Sequence, residues 1–104
     1  MAFGPAARGD GKDPVTTEHL CDAMTTCEGR SGNVLINNIG VHRKTDLNTI
    51  HDLVCGPSCC PHQVALGVAS GTVFANNLGV GRKADTYPAD GFISDGSPDV
   101  NAGD

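Results

Sequence analysis

Tryptophan is absent, and three Phe and one Tyr are the only aromatic residues among 104. Few large side chains are available to fill a core. A fold of this size with so little to bury usually draws on a metal, disulfides or a partner. Cations are scarce too: seven Lys and Arg stand against twelve Asp and Glu, for a net charge of -5. Binding a phosphate backbone needs clustered basic residues, so a nucleic-acid partner is not expected. No run approaches the roughly 20 apolar residues that span a bilayer. The N-terminal stretch has no cationic segment followed by an apolar one, so no signal peptide is expected. The sequence reads as one soluble domain over residues 1–104, made in a reducing compartment.

Turn-forming residues are plentiful, with 14 Gly and 6 Pro. Five cysteines is an odd number, which leaves one over in a pure disulfide scheme. Without a secretion signal, thiols clustered among histidines read as metal ligands rather than bridges.

The chain repeats itself. Residues Ser31 to Asp46 return as Ser70 to Asp85, with the same Ser-Gly, Val, Asn-Asn, Gly-Val, Arg-Lys and Asp at matching places. Partial copies flank these two. Ser97 to Gly103 matches the first half of the unit and Gly4 to Asp10 the second. Half a unit, two units and half a unit make three equivalents, which implies approximate threefold symmetry within one polypeptide. Each unit reads as a β-hairpin. Val34-Leu35-Ile36 and Val73-Phe74 are β-prone, and the following Asn pairs tolerate the left-handed backbone of tight turns. A return strand then runs through Val41 or Val80 to the Arg-Lys pair. The expected fold class is all-β. Asp13 to Met24 could hold one helical turn or a loop.

Nearly all the Cys and His lie in two connections between the hairpins. The first holds His19, Cys21 and Cys27; the second holds His51, Cys55, Cys59, Cys60 and His62. Zinc favours four tetrahedral N and S ligands, and the C-x-x-H spacing of Cys59 and His62 lets one tight turn present two. His51 and His19 complete a set of three His and one Cys. Cys60 is the alternative thiolate, and Cys55 with Cys59 could instead form a disulfide. Four protein ligands leave no open position, so this Zn2+ site would be structural. No nucleophile motif is visible, and a catalytic role is not expected. His42, on a return strand, reads as a polar residue on an exposed face.

With its repeats and its Pro5-Ala6-Ala7-Arg8, the chain resembles the PAAR-repeat family, named for that tetrapeptide. Further matching pieces are Ser31 to Gly40 with Arg43 and Asp46, Ser70 to Gly79 with Arg82 and Asp85, and Gly96 to Gly103. Thr17-x-His19-x-Cys21 and His51 followed by Cys55-Gly56-x-x-Cys59 and His62 match in the connections. The resemblance implies a conical pseudo-threefold β-hairpin domain with zinc held at its apex by three His and one Cys. It implies a structural tip that caps a trimeric β-helical spike, one tip per trimer, in a contractile injection machine. Such a tip aids puncture of a target cell's outer membrane. A unit without an extension suits a phage tail or baseplate, hence a virion protein made in host cytoplasm, with a type VI secretion apparatus as the alternative. Val34, Ile36, Val73 and Phe74 are candidates for strands near the spike.

Several departures from that pattern carry expectations of their own. Arg8-Gly9-Asp10 lacks the spacer residue before its Gly, so the first copy is one residue short. Thr45 and Ala84 replace a motif Gly, which implies turns without positive φ. The third connection, Thr86 to Gly91, holds neither Cys nor His and is expected to donate nothing to the metal. Two other functions compete: a free-standing zinc-binding adaptor domain, and a secreted disulfide-rich toxin or inhibitor.

Overall fold

The computed structural model describes residues 4–17 and 19–103. Twelve short strands and no helix make up the described residues, so the expected all-β class is borne out. Two hairpins fall on the two full repeats. β4 (Leu35–Ile36) pairs with β5 (Ile39–Gly40), and β8 (Phe74–Ala75) pairs with β9 (Leu78–Gly79). The two half-copies complete the third: β1 (Gly4–Pro5) pairs antiparallel with β12 (Asn101–Ala102). The registers correspond, with Leu35 opposite Gly40, Phe74 opposite Gly79 and Asn101 opposite Pro5.

The three units close into a ring. Ala7 donates its N–H to the Gly81 carbonyl at 2.8 Å, Gly81 to His42 at 2.9 Å, and His42 to Ala7 at 3.0 Å. Bridges between Ala6 and Arg82, Arg8 and Val41, and Arg43 and Val80 follow the same cyclic order. Each sheet edge thus finds its partner in the next repeat, which satisfies backbone groups that a lone hairpin would expose.

The Asn pairs serve this closure twice. Asn37 and Asn38 have φ of 55° and 66°, and Asn76 and Asn77 have 55° and 67°, as a primed two-residue turn requires. Their side chains also receive the neighbouring repeat. Asn76 Oδ1 accepts from Ser31 Oγ at 2.6 Å and Arg43 Nη1 at 3.0 Å; Asn37 Oδ1 accepts from Ser97 Oγ at 2.7 Å and Arg8 Nη1 at 3.2 Å. At the third junction the Gly103 carbonyl takes the place of Asn, accepting from Ser70 Oγ and Arg82 Nη1. Gly40 and Gly79 are held to glycine by close approach. A Cβ there would overlap the Ser31 or Ser70 carbonyl oxygen.

Two sequence expectations about the turns are corrected. Thr45 and Ala84 do adopt positive φ, 78° and 79°, because the Arg just before each turn grips the Asp just after it. Arg43 donates from its backbone N, Nε and Nη2 to Asp46, and Arg82 does the same to Asp85, all within 3.0 Å. In the first copy the same grip falls on Asp13, not Asp10, so that turn is longer rather than short. Asp10 instead pairs with Arg30.

The three connections form a second layer. The segment that could have held a helical turn is instead β2 (Pro14–Thr16) and a loop leading to β3 (Met24–Thr26), Glu18 lying outside the described residues. They join β10 (Thr86–Tyr87) and β11 (Gly91–Ile93) in one sheet of order β10-β11-β2-β3. The second connection forms the longest hairpin, β6 (His51–Cys55) against β7 (Ser58–His62). The core divides accordingly. Val41, Val80, Ala6, Ala75 and Ala102 fill the ring, while Ala7, Val15, Cys27, Leu66, Tyr87 and Ile93 fill the second layer. All three connections supply the second cluster, so tertiary packing, not any local run, builds it.

His42 links the layers and is fully buried, contrary to the exposed position expected for it. Its Nδ1 lies 2.7 Å from the Gly29 carbonyl and its Nε2 lies 2.8 Å from the Tyr87 hydroxyl. The carbonyl can only accept, so Nδ1 carries the proton and Nε2 accepts from Tyr87. Burial pushes the pKa of His42 down. The Cys27 thiol completes the chain at 3.5 Å from Tyr87, and burial pushes it up to about 12.

Candidate metal centre

His51 opens β6 and His62 ends β7, and the register sets them directly opposite each other. Their Nε2 atoms are 2.9 Å apart. His19, in the loop between β2 and β3, brings its Nε2 onto Asp90 Oδ1. Asp90 lies in the turn between β10 and β11, and its carboxylate is 3.1 Å from His51 and 3.0 Å from His62. The four donor atoms all fall within 4.8 Å of one another.

The surroundings aim this cluster. His51 Nδ1 donates to the Thr49 carbonyl at 2.8 Å, which leaves its Nε2 lone pair directed at the other ligands. Asn48, fully buried, donates to Asp90 Oδ2 at 2.8 Å and leaves Oδ1 for the three imidazoles. Burial alone would raise the Asp90 pKa; hydrogen bonds from His19, Asn48 and His51 outweigh it and hold the acid below the usual carboxylate range. The side chain is therefore an anion at neutral pH.

The donor set fits a cation. Three imidazole nitrogens converge on the Asp90 carboxylate, His51 lying 3.1 Å from each of its oxygens, while His51 and His62 also face each other. Nitrogen lone pairs and a carboxylate gathered on one point are the donors that a bound cation takes. Ligands about 2.0–2.1 Å from a tetrahedral ion lie roughly 3.3 Å apart, near the 2.9, 3.1 and 3.0 Å separating His51, His62 and Asp90. Three neutral nitrogens and one carboxylate are a common ligand set for a divalent ion.

Of the four ligands expected from the sequence, His19, His51 and His62 meet and Cys59 does not. Its sulfur is bonded to Cys21, and Cys60 is bonded to Cys55. Reading these thiols as ligands rather than bridges is thereby corrected, as is the Cys55–Cys59 alternative. Cys27 alone is free, and buried. The physical reason is proximity. The β6–β7 hairpin sets Cys55 and Cys60 near one another and brings Cys59 against the loop after His19.

The fourth member of the cluster is Asp90, from the connection expected to contribute nothing. Counting only Cys and His hid it, although carboxylates are ordinary zinc ligands. The available signal was the threefold pattern itself, since two connections carried donors and the third carried one Asp in its turn.

No protein-family model matches the chain, and no curated protein matches it.

Proposed function

We propose that this chain is a PAAR-like tip that caps a trimeric β-helical spike of a contractile injection machine, with Zn2+ in the His19, His51, His62 and Asp90 cluster as a structural staple. The observation that carries this reading is the closed threefold ring with an equivalent exposed apolar residue on each unit. Val34, Val73 and Val100 precede the three ring hairpins at the same place, and are 37%, 40% and 37% exposed. Leu35 and Phe74, next along, are more exposed still. A single chain that presents the same apolar side chain three times is matched to a partner with a true threefold axis. Ile36 faces inward and packs against the ring core, so it leaves the docking set.

A structural role agrees with the thiols. Four are tied in disulfides and the fifth is buried and protonated, which leaves no cysteine nucleophile. In this reading the protein belongs to a phage tail, and the tip meets the outer membrane of a target cell transiently.

The test mixes the protein with the trimeric β-helical spike protein from the same genome and weighs the complex by native mass spectrometry. One chain per three spike subunits is expected, and Val73→Asp should abolish the complex while the monomer stays folded. One chain per spike subunit, or a complex indifferent to Val73→Asp, would overturn the reading.

A further inference from the structure

The disulfide between Cys21 and Cys59 ties the loop that carries His19 to the strand that carries His62. Cys21 is two residues from His19 and Cys59 three from His62. His51 and His62 need no such tie, because strand pairing across β6 and β7 sets them opposite each other. Asp90 is set by its own turn, where its N–H donates to the Tyr87 carbonyl, and by Asn48. His19 lies in a loop outside any strand, with its backbone N–H on Thr17 Oγ1 at 3.1 Å and its ring on Asp90. Leu20, between His19 and Cys21, is 93% exposed, and beyond Cys21 the loop is held at Asp22, whose carbonyl accepts from Thr17 Oγ1 and whose carboxylate accepts from the Asp52 N–H at 2.8 Å.

We infer that the Cys21–Cys59 bridge is the positioning element for His19, and that it makes metal binding at this centre depend on the redox state of the chain. The inference rests on the metal reading above. With the bridge closed, four donors converge. With it open, the His19 arm gains conformational freedom that binding must then remove, and the ion keeps three ligands at most of its time. Closure transfers two electrons from the two thiols to a small-molecule disulfide, which leaves as two thiols with the two protons. A dithiol reverses the step. The second bridge, Cys55–Cys60, lies within one hairpin already in register and should matter little to the centre.

Zinc affinity is measured by competition with a chromophoric chelator, on the full chain. Cys21→Ser with Cys59→Ser is expected to weaken binding at least about tenfold, the scale seen when a group that orients a metal ligand is lost. Cys55→Ser with Cys60→Ser should stay within about threefold of the parent, which also controls for general loss of stability. A cycle with His19→Ala separates positioning from bulk stabilisation. His19→Ala should cost far more in the parent than in the Cys21, Cys59 variant. Additive losses would overturn the inference, as would equal affinity with and without the Cys21–Cys59 bridge. Reduced protein that binds Co2+ more tightly, with a thiolate charge-transfer band, would overturn it too. A chain that binds neither ion in any redox state would remove the metal reading itself.

Discussion

Replacing Asp90 by Asn keeps the size and shape of the side chain but removes the one anionic donor of the cluster. The amide can still meet Asn48, yet its carbonyl is a weaker ligand than a carboxylate held below its usual pKa by His19, Asn48 and His51. Loss of a group that merely orients a ligand costs about 10–100-fold in metal affinity, so direct loss of this ligand should reach the upper end, about 100-fold. With zinc at about 100 times the dissociation constant of the parent, binding stabilises the fold by about 2.7 kcal/mol. The variant at the same zinc concentration would sit near its own dissociation constant and keep only about 0.4 kcal/mol. For a domain of this size 1 kcal/mol moves Tm by about 4–8 °C. The zinc-dependent rise in Tm should therefore shrink by roughly 9–18 °C. The assay is differential scanning calorimetry with zinc and with a strong chelator, on both proteins. Taking the difference removes any effect of the substitution on the metal-free fold. An equal zinc-dependent rise in Asp90→Asn would refute the assignment of Asp90 as a ligand.

Other consequences follow from the ring and the core. His42 is held neutral by burial, so its folded pKa lies below the roughly 6.5 of the unfolded chain. The unfolded chain then takes up a proton first as the pH falls. This contribution to stability is intact above the unfolded value and is lost below it by up to about 1.4 kcal/mol per pH unit, until the folded pKa is reached. An NMR titration of the His42 ring should show no protonation near pH 6.5; protonation at or above that value would contradict the buried arrangement. Ala84→Gly should stabilise by about 1 kcal/mol in urea denaturation, since Ala84 has φ of 79° where an L-residue is strained. No gain would mean the Arg82–Asp85 grip, not the turn itself, sets the energy there. Gly79→Ala should destabilise by more than about 3 kcal/mol or prevent folding, because its Cβ would overlap the backbone oxygen of Ser70. A loss under about 1 kcal/mol would show that the ring relaxes freely at this junction.

The all-β class and the threefold plan were legible from repetition alone. Ser31 to Asp46 and Ser70 to Asp85 are local signals, with β-prone residues, Asn turns and Arg–Asp pairs each specifying structure within a few positions. The half-copies at the two ends were enough to imply a third unit. Pairing of β1 with β12 follows from closure, since an unmatched ring would leave two edges open. Three of the four cluster residues were also readable, because His19, His51 and His62 have few other uses in turn-rich connections.

What only the tertiary structure decided involves residues far apart in the chain. Asp90 joins His19 across 71 positions, and no spacing rule reaches that far. Cys59 was drawn to Cys21 rather than to the cluster by the way the β6–β7 hairpin meets the first connection. His42 looked like a surface residue because strand alternation does not reveal a second layer; Tyr87 and Gly29, from two other segments, bury it. Thr45 and Ala84 show the same in the backbone. Their side chains disfavour positive φ, yet the Arg43–Asp46 and Arg82–Asp85 pairs and hydrogen bonds to Leu66 and Ile93 impose it. Local chemistry set the repeated unit, and the contacts between units chose which side chains met in the His–Asp cluster, in bridges and in the core.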